Sequence, residues 1–299
     1  MAKYNTDTIL RIDTAAEAAA QRMRTDGNYV CLPFYSCGRP VASPDAPLWG
    51  MSLRKAGSMR FRWNETNENR SLFLSALCLT AGVQPVTLEL IHSKDVYVLN
   101  NPADTDQKKA DGMITVTRSL LPVITVADCM PIFLYDPVTG MFGALHSGWK
   151  GTGIAAAALE KAHAAFGTKP ENVLVVLGPH IHACCYIVDE DRAAYFRDTF
   201  CADSVEPVNI KELQGSCKVP DWNAPGKKLF RLSLEKANIA LLLKSGVLPE
   251  HIAAASDCTC CNELFGSFRR ETAPLPLDFS VREKWLHFTV QAAFCGYIA

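Results

Sequence analysis

The chain has 299 residues, 48% hydrophobic and 20% charged, so it can bury a substantial core and is not the composition of a disordered segment. Its net charge of −1 excludes a global field that would draw in nucleic acid or an acidic membrane, while leaving room for a local anion pocket. The beginning of the chain, with Lys3, Arg11 and Asp13, lacks the apolar core of a signal peptide, and runs such as Ile239-Ala240-Leu241-Leu242-Leu243 are too short to span a bilayer; a cytoplasmic protein is expected.

The first predicted element is an amphipathic helix over Ala15 to Arg24, followed by an extended segment from Tyr29 to Tyr35. Residues 36–65 are rich in Gly, Pro, Ser and Arg and read as irregular, with a hairpin around Met51 to Phe61. Leu72, Leu74, Leu77 and Leu79 give helical spacing over Glu68 to Ala81, and Gly82 stands at the expected stop. The texture then changes to short β-rich runs: Val86 to Ile91, Val96 to Leu99, Met113 to Val116, Pro122 to Val126, Pro131 to Tyr135 and Met141 to Leu145. An alanine-rich helix over Gly153 to Ala165 ends at Gly167. A buried-type strand over Val173 to Leu177, helices over Glu190 to Phe200 and Leu232 to Lys244, and strands at Ile252 to Ala255 and Phe288 to Tyr297 complete the chain. Strands in series with occasional helices, and no regular βαβ alternation, predict an α+β layered fold with mixed sheets in a single domain over 1–299.

Three segments carry the chemistry. His92 follows the run Val86 to Ile91; Cys129 lies between two apolar strands in Ala127-Asp128-Cys129-Met130-Pro131; His146 opens His146-Ser147-Gly148-Trp149-Lys150-Gly151. Two imidazoles and a thiol that converge suit Zn²⁺ with one position left for water or substrate, with Asp128 as a supporting group or general acid/base. The same pair, Cys129 and His146, also makes a nucleophile and its base. The loop with Gly148, Lys150 and Gly151 leads into a helix start, whose N–H groups together with Lys150 predict an anion site. Arg269 and Arg270 have the fork geometry to grip a phosphate or carboxylate, or else pair with Glu271 on the surface.

Twelve cysteines are many for a chain with no secretory signal, so buried thiols or metal ligands are expected before a disulfide framework. Gly178-Pro179-His180-Ile181-His182-Ala183-Cys184-Cys185-Tyr186 and Asp257-Cys258-Thr259-Cys260-Cys261 concentrate them; a second zinc site built from both is conceivable, but neither has a recognised zinc-finger spacing. Packing and turn roles are their default reading.

Ala110 to Thr115, Ala127 to Pro131, His146 to Thr152, Gly178 to Tyr186 and Cys258 to Arg270 together resemble the laccase-domain family, whose bacterial members carry the labels polyphenol oxidase and purine nucleoside phosphorylase. The resemblance covers the chain from about residue 50 onward; the first 40 residues and Pro44 to Trp63 fit it poorly. It implies an α/β/β/α sandwich distantly similar to the catalytic domain of cytotoxic necrotising factor toxins, and a metal triad of His92, Cys129 and His146. It further implies phosphorolysis of adenosine, inosine and methylthioadenosine, adenosine deamination or, in some members, editing of peptidoglycan precursors. The chain departs at Lys150, where the family commonly has Arg, at Ser233, which replaces an acid, and at Ile187, which replaces Glu. These departures bear on substrate more than on metal.

A multicopper oxidase needs a trinuclear cluster of further imidazoles beside its blue site of two His and one Cys, and this chain has seven His in all. Copper is therefore the less favoured metal and zinc the expected one. A nucleoside and phosphate are the expected small-molecule partners, with His180, Asp128 or water available to protonate the leaving purine. The rival reading is a metal-free Cys129–His146 hydrolase acting on an amide of a cell-wall precursor. Sequence alone sets no oligomeric state.

Overall fold

The computed structural model describes residues 8–21, 27–209, 228–276 and 278–298. Lys3, the end of the first helix through Arg24, and Cys217 lie outside them. Among the described residues no helix is long and apolar enough to cross a membrane.

Two mixed sheets stack face to face. The first has seven strands in the order Leu10–Ile12, Ile252–Ala255, Leu174–Leu177, Met130–Tyr135, Phe142–Ser147, Gly112–Thr115 and Val96–Leu99. The second has five, in the order Tyr29–Pro33, Leu48–Ser52, Gln291–Gly296, Leu120–Val126 and Gln84–Thr87. Alternate side chains of a strand point to opposite faces, so each sheet feeds two cores. Trp49, Met51, Ile124, Ala293 and Cys295 of the five-stranded sheet meet Met113, Phe133, Phe142, Val176 and Ala253 of the seven-stranded one in the central layer. Ile114, Ile132, Leu134, Val175 and Ala254 face the other way, against the helices Ile154–Phe166, Glu190–Thr199 and Leu234–Lys244. On the far side Leu121, Val123, Ala292 and Phe294 pack on Leu74, Leu77 and Cys78 of the helix Glu68–Ala81. The layers thus run α/β/β/α, as expected. The near-continuous apolar runs of the central strands follow from burial on both faces.

Helix ends follow the local signals. Asn67 caps Glu68–Ala81 by accepting from the Arg70 N–H at 3.0 Å, and Gly82 closes it in the left-handed region with φ 66°.

Three expectations need correction, and one small sheet was not foreseen. No hairpin spans Met51 to Phe61: Leu48–Ser52 pairs antiparallel with both Tyr29–Pro33 and Gln291–Gly296, and its own chain turns into a short 3-10 helix at Arg54–Ala56. The strand expected over Val86 to Ile91 is Gln84–Thr87, so His92 lies in a loop rather than at a strand end. Leu232 ends a strand, Leu229–Leu232, and Ser233 caps the helix after it by accepting from the Lys236 N–H. Leu229–Leu232 lies between Ile187–Asp189 and Val205–Val208 in a small antiparallel sheet, two strands of which the alternation did not reveal because they are only three and four residues long.

Candidate metal centre and cavity

The chain crosses from the five-stranded to the seven-stranded sheet through Ala127-Asp128-Cys129, the three residues between Leu120–Val126 and Met130–Tyr135. This crossing puts Cys129 at the rim where the two sheets part. Antiparallel register pairs Met130 with Ser147 and Pro131 with His146, so the chain beside Cys129 is Gly148. A Cβ on Gly148 would lie 2.9 Å from Cys129 Sγ and 3.2 Å from His92 Cδ2; glycine is needed for the close approach of that backbone.

His92 reaches the same point from the side. Its backbone has φ 59°, a conformation costly for a residue with a Cβ. Asp111 holds it there, accepting backbone N–H groups from Ile91 at 3.3 Å, His92 at 2.9 Å and Ser93 at 2.6 Å. The same carboxylate meets His146 Nδ1 at 2.8 Å and is fully buried. That bond fixes the His146 tautomer, leaving Nε2 for the side of Cys129.

The ligand atoms of His92, Cys129 and His146 all lie within 4.8 Å of one another. A tetrahedral zinc site with ligands at about 2.1–2.3 Å has edges of roughly 3.4–3.8 Å, so a small contraction closes the three around a metal and leaves a position on the open side. The triad pairs a thiolate with an imidazolium, whose proton a bound metal would displace. Burial alone would push the Cys129 thiol up, but the His146 and His92 rings bring it down to about 6. Burial would likewise lower His146, but Cys129 and Asp111 raise it to about 10. Burial also tends to raise Asp111, yet its bond to His146 leaves it below the ordinary carboxylate value.

A cavity of about 430 Å³ opens beside the triad, and His92, Asp128, Cys129 and His146 form part of its wall. Four arginines, Arg60, Arg62, Arg192 and Arg269, line the remainder together with the rings of Phe61, Trp149, Tyr186, Phe268, Trp285 and Phe288. Arg192 stands 4.5 Å over Trp149, and Arg62 stands 5.0 Å over Trp285 while pairing with Glu89 at 3.0 Å. Sequence reasoning missed most of these groups. Arg60-Phe61-Arg62-Trp63, a basic and aromatic alternation inside the stretch read as irregular, was the available signal.

Other expected site residues are placed differently. Asp128, at φ 78°, is buried with both oxygens engaged, accepting from Thr259 Oγ1 at 2.7 Å and from the Arg269 N–H at 2.6 Å. Burial raises its pKa against those bonds. Arg269 reaches the cavity wall, whereas Arg270 is turned inward, donating to the carbonyls of Thr259, Cys260, Asn262 and Phe265 and pairing with Glu271 at 3.2 Å. Lys150 is exposed, 5.3 Å over the Trp149 ring, and is not part of the wall. At the helix start behind it, Gly151 packs against the Ser93 carbonyl, and Gly153 lies against Leu241 and Lys94. The glycine loop therefore serves close packing around the triad, and the positive charge of the cavity comes from arginines elsewhere in the chain.

His180 is fully buried outside this cavity. Its Nδ1 lies 2.8 Å from the Gly178 carbonyl, its ring packs on His182, and burial brings it down to about 4. With His182 and Glu235 it forms a second group whose ligand atoms lie within 4.8 Å, but Arg11 grips both Glu235 oxygens at 2.7 Å.

Residues 62–274 match the family described as multi-copper polyphenol oxidoreductase laccase. The chain is 32% identical over 214 residues to a Geobacillus stearothermophilus protein named purine nucleoside phosphorylase YlmD, covering 67% of this chain and 73% of that one. It is 31% identical over 187 residues to a Mus musculus protein named purine nucleoside phosphorylase LACC1, of whose length the match spans 39%. The crystal structure of the Geobacillus protein superposes with a TM-score of 0.65 at 25% identity, covering 88% of this chain and 96% of that one.

Proposed function

From the premise that this chain belongs to the laccase-domain family described as multi-copper polyphenol oxidoreductase laccase, we propose that it is a zinc-dependent purine nucleoside phosphorylase. The observation that carries the proposal is the cavity itself: four guanidinium groups and six aromatic rings beside a His, Cys, His set. Guanidinium forks recognise phosphate, and ring faces stack a purine. The reading also draws on the names of the relatives.

His92, Cys129 and His146 would hold the metal, with Asp111 orienting two of them. Zinc bound there supplies a Lewis acid at the cavity wall. Arg60 and Arg192 take no part in the ion pairs of the described residues and offer their charge to phosphate, while Arg62 shares its own with Glu89. In phosphorolysis a phosphate oxygen bonds C1′ of the ribose as the C1′–N9 bond breaks. The cationic sugar between them is stabilised by the adjacent phosphate, which the arginines orient. The purine leaves with a proton gained at nitrogen, and Asp128 is the carboxyl on the wall beside Cys129. Deamination of adenosine at the same site belongs to this reading as a second activity.

Copper chemistry of the multinuclear kind is disfavoured by ligand supply. Beyond the triad, His180 and His182 are boxed in with Glu235, and His163 bonds the Thr168 carbonyl.

One observation favours a second reading. Asp111, His146 and Cys129 stand in the order orienter, base and nucleophile, with a depressed thiol, as in a metal-free cysteine hydrolase acting on an amide such as that of a peptidoglycan precursor. Purified protein and its Cys129→Ala variant, assayed for metal and for adenine plus ribose 1-phosphate released from adenosine and phosphate, separate the two. Loss of one zinc per chain together with activity supports the phosphorylase. A wild type that holds no more zinc than Cys129→Ala, whose Cys129 is alkylated and which turns over no nucleoside, would overturn it.

A further inference from the structure

We infer that the chain carries a second, structural zinc site built from Cys184, Cys185, Cys258 and Cys261. The four sulfurs all lie within 4.8 Å of one another. Cys184 and Cys185 are 3.8 Å apart, Cys184 and Cys261 3.7 Å, and Cys185 and Cys261 3.3 Å. The edge of a tetrahedron with Zn–S bonds of 2.3 Å is roughly 3.8 Å. An S–S bond is far shorter, at about 2.05 Å. The spacings therefore match a shared cation and not a disulfide.

Topology brings the two pairs together. Leu174–Leu177 and Ile252–Ala255 are parallel neighbours, so the loops that follow them leave the sheet at the same end. A bridge between His180 and Cys258 extends that pairing into the loops. Cys258 and Cys261 then stand at the two ends of one turn, with the Cys261 N–H on the Cys258 carbonyl at 3.1 Å; this is the C-x-x-C half of a zinc knuckle. The vicinal pair from the other loop completes it, so the site needs both segments.

The surroundings fit a tetrathiolate. The His182 backbone N–H lies 3.4 Å from Cys258 Sγ, a donor placed to stabilise a thiolate. Arg270 pins the Cys258–Cys261 turn through the carbonyls of Thr259, Cys260 and Asn262. All-sulfur tetrahedral coordination selects zinc over harder cations. The fourth position is filled by protein, so this site is closed, and its role is to clamp the two loops that supply Ile181, Tyr186 and Arg269 to the cavity wall.

The proposal is independent of the phosphorylase reading, and the test keeps it so. The full chain carrying Cys129→Ala, purified with zinc present and measured by native mass spectrometry and elemental analysis, is expected to retain one zinc per chain. Adding Cys261→Ser should remove it. Where that variant does not fold, titration of Cys129→Ala with an organomercurial is expected to release one zinc as four protected thiols react. Replacement by cobalt(II) should give sulfur-to-metal charge-transfer absorption. Absence of metal from Cys129→Ala, iron in place of zinc, or a Cys185–Cys261 disulfide recovered in non-reducing peptide maps would each overturn the site.

Discussion

Asp111 ties His92 and His146 to one carboxylate, through three backbone N–H groups on one side and an imidazole nitrogen on the other. Asp111→Asn keeps the shape but weakens both ties; loss of such a partner lowers metal affinity roughly 10–100-fold. Competition with a chromogenic chelator should report that loss, and an unchanged affinity would show that His92 is held by other means. Gly148→Ala tests the same point sterically. Its Cβ, 2.9 Å from the Cys129 sulfur, should displace a ligand and abolish stoichiometric zinc at the triad while circular dichroism stays native. The triad was legible in the sequence because Cys129 and His146 stand in motifs that resemble a family pattern, and that resemblance implies His92 beside them. Asp111 was visible only as part of a motif, because its work is done through backbone groups that a sequence does not display. Lys150 lies outside the cavity wall for a related reason: residue type and loop composition predict charge, but packing such as that of Gly151 on the Ser93 carbonyl is not displayed by them.

At the scale of elements, the helix Glu68–Ala81 does more than cover a sheet. Its cap residue Asn67 donates through Nδ2 to the carbonyls of Ser58 and Arg60 at 3.0 Å, so one side chain both starts the helix and fixes the segment that brings Arg60 to the cavity. Asn67→Ala is expected to cost about 1 kcal/mol in urea unfolding and to raise KM for phosphate more than it lowers kcat. A stability loss with unchanged KM would separate the helix from the wall. Helices and central strands of this chain were readable within a few residues, because their periodicity and their Gly and Asn signals are local. The stretch 36–65 was not. Leu48–Ser52 is a strand because Tyr29–Pro33 and Gln291–Gly296 flank it, and partners so distant leave no mark on its own composition. The small sheet around Leu229–Leu232 was missed because its strands are too short to show an alternation.

Over the whole molecule a net charge of −1 coexists with four arginines around one cavity. Positive potential confined to a concave, partly apolar site draws an anion in by a field that salt screens. Raising sodium chloride is therefore expected to increase KM for phosphate with little change in kcat. A KM indifferent to salt would place phosphate away from these groups. The α/β/β/α order of layers was foreseen from the family resemblance, while the route of the chain through them was not. Gln291–Gly296, the last strand in the sequence, occupies the middle of the five-stranded sheet, between Leu48–Ser52 and Leu120–Val126. During synthesis that sheet exists only as two open halves whose facing edges wait for a strand not yet made. Until Gln291–Gly296 is made both facing edges stay open to misassociation, and a truncation before it would remove a central strand rather than trim an edge.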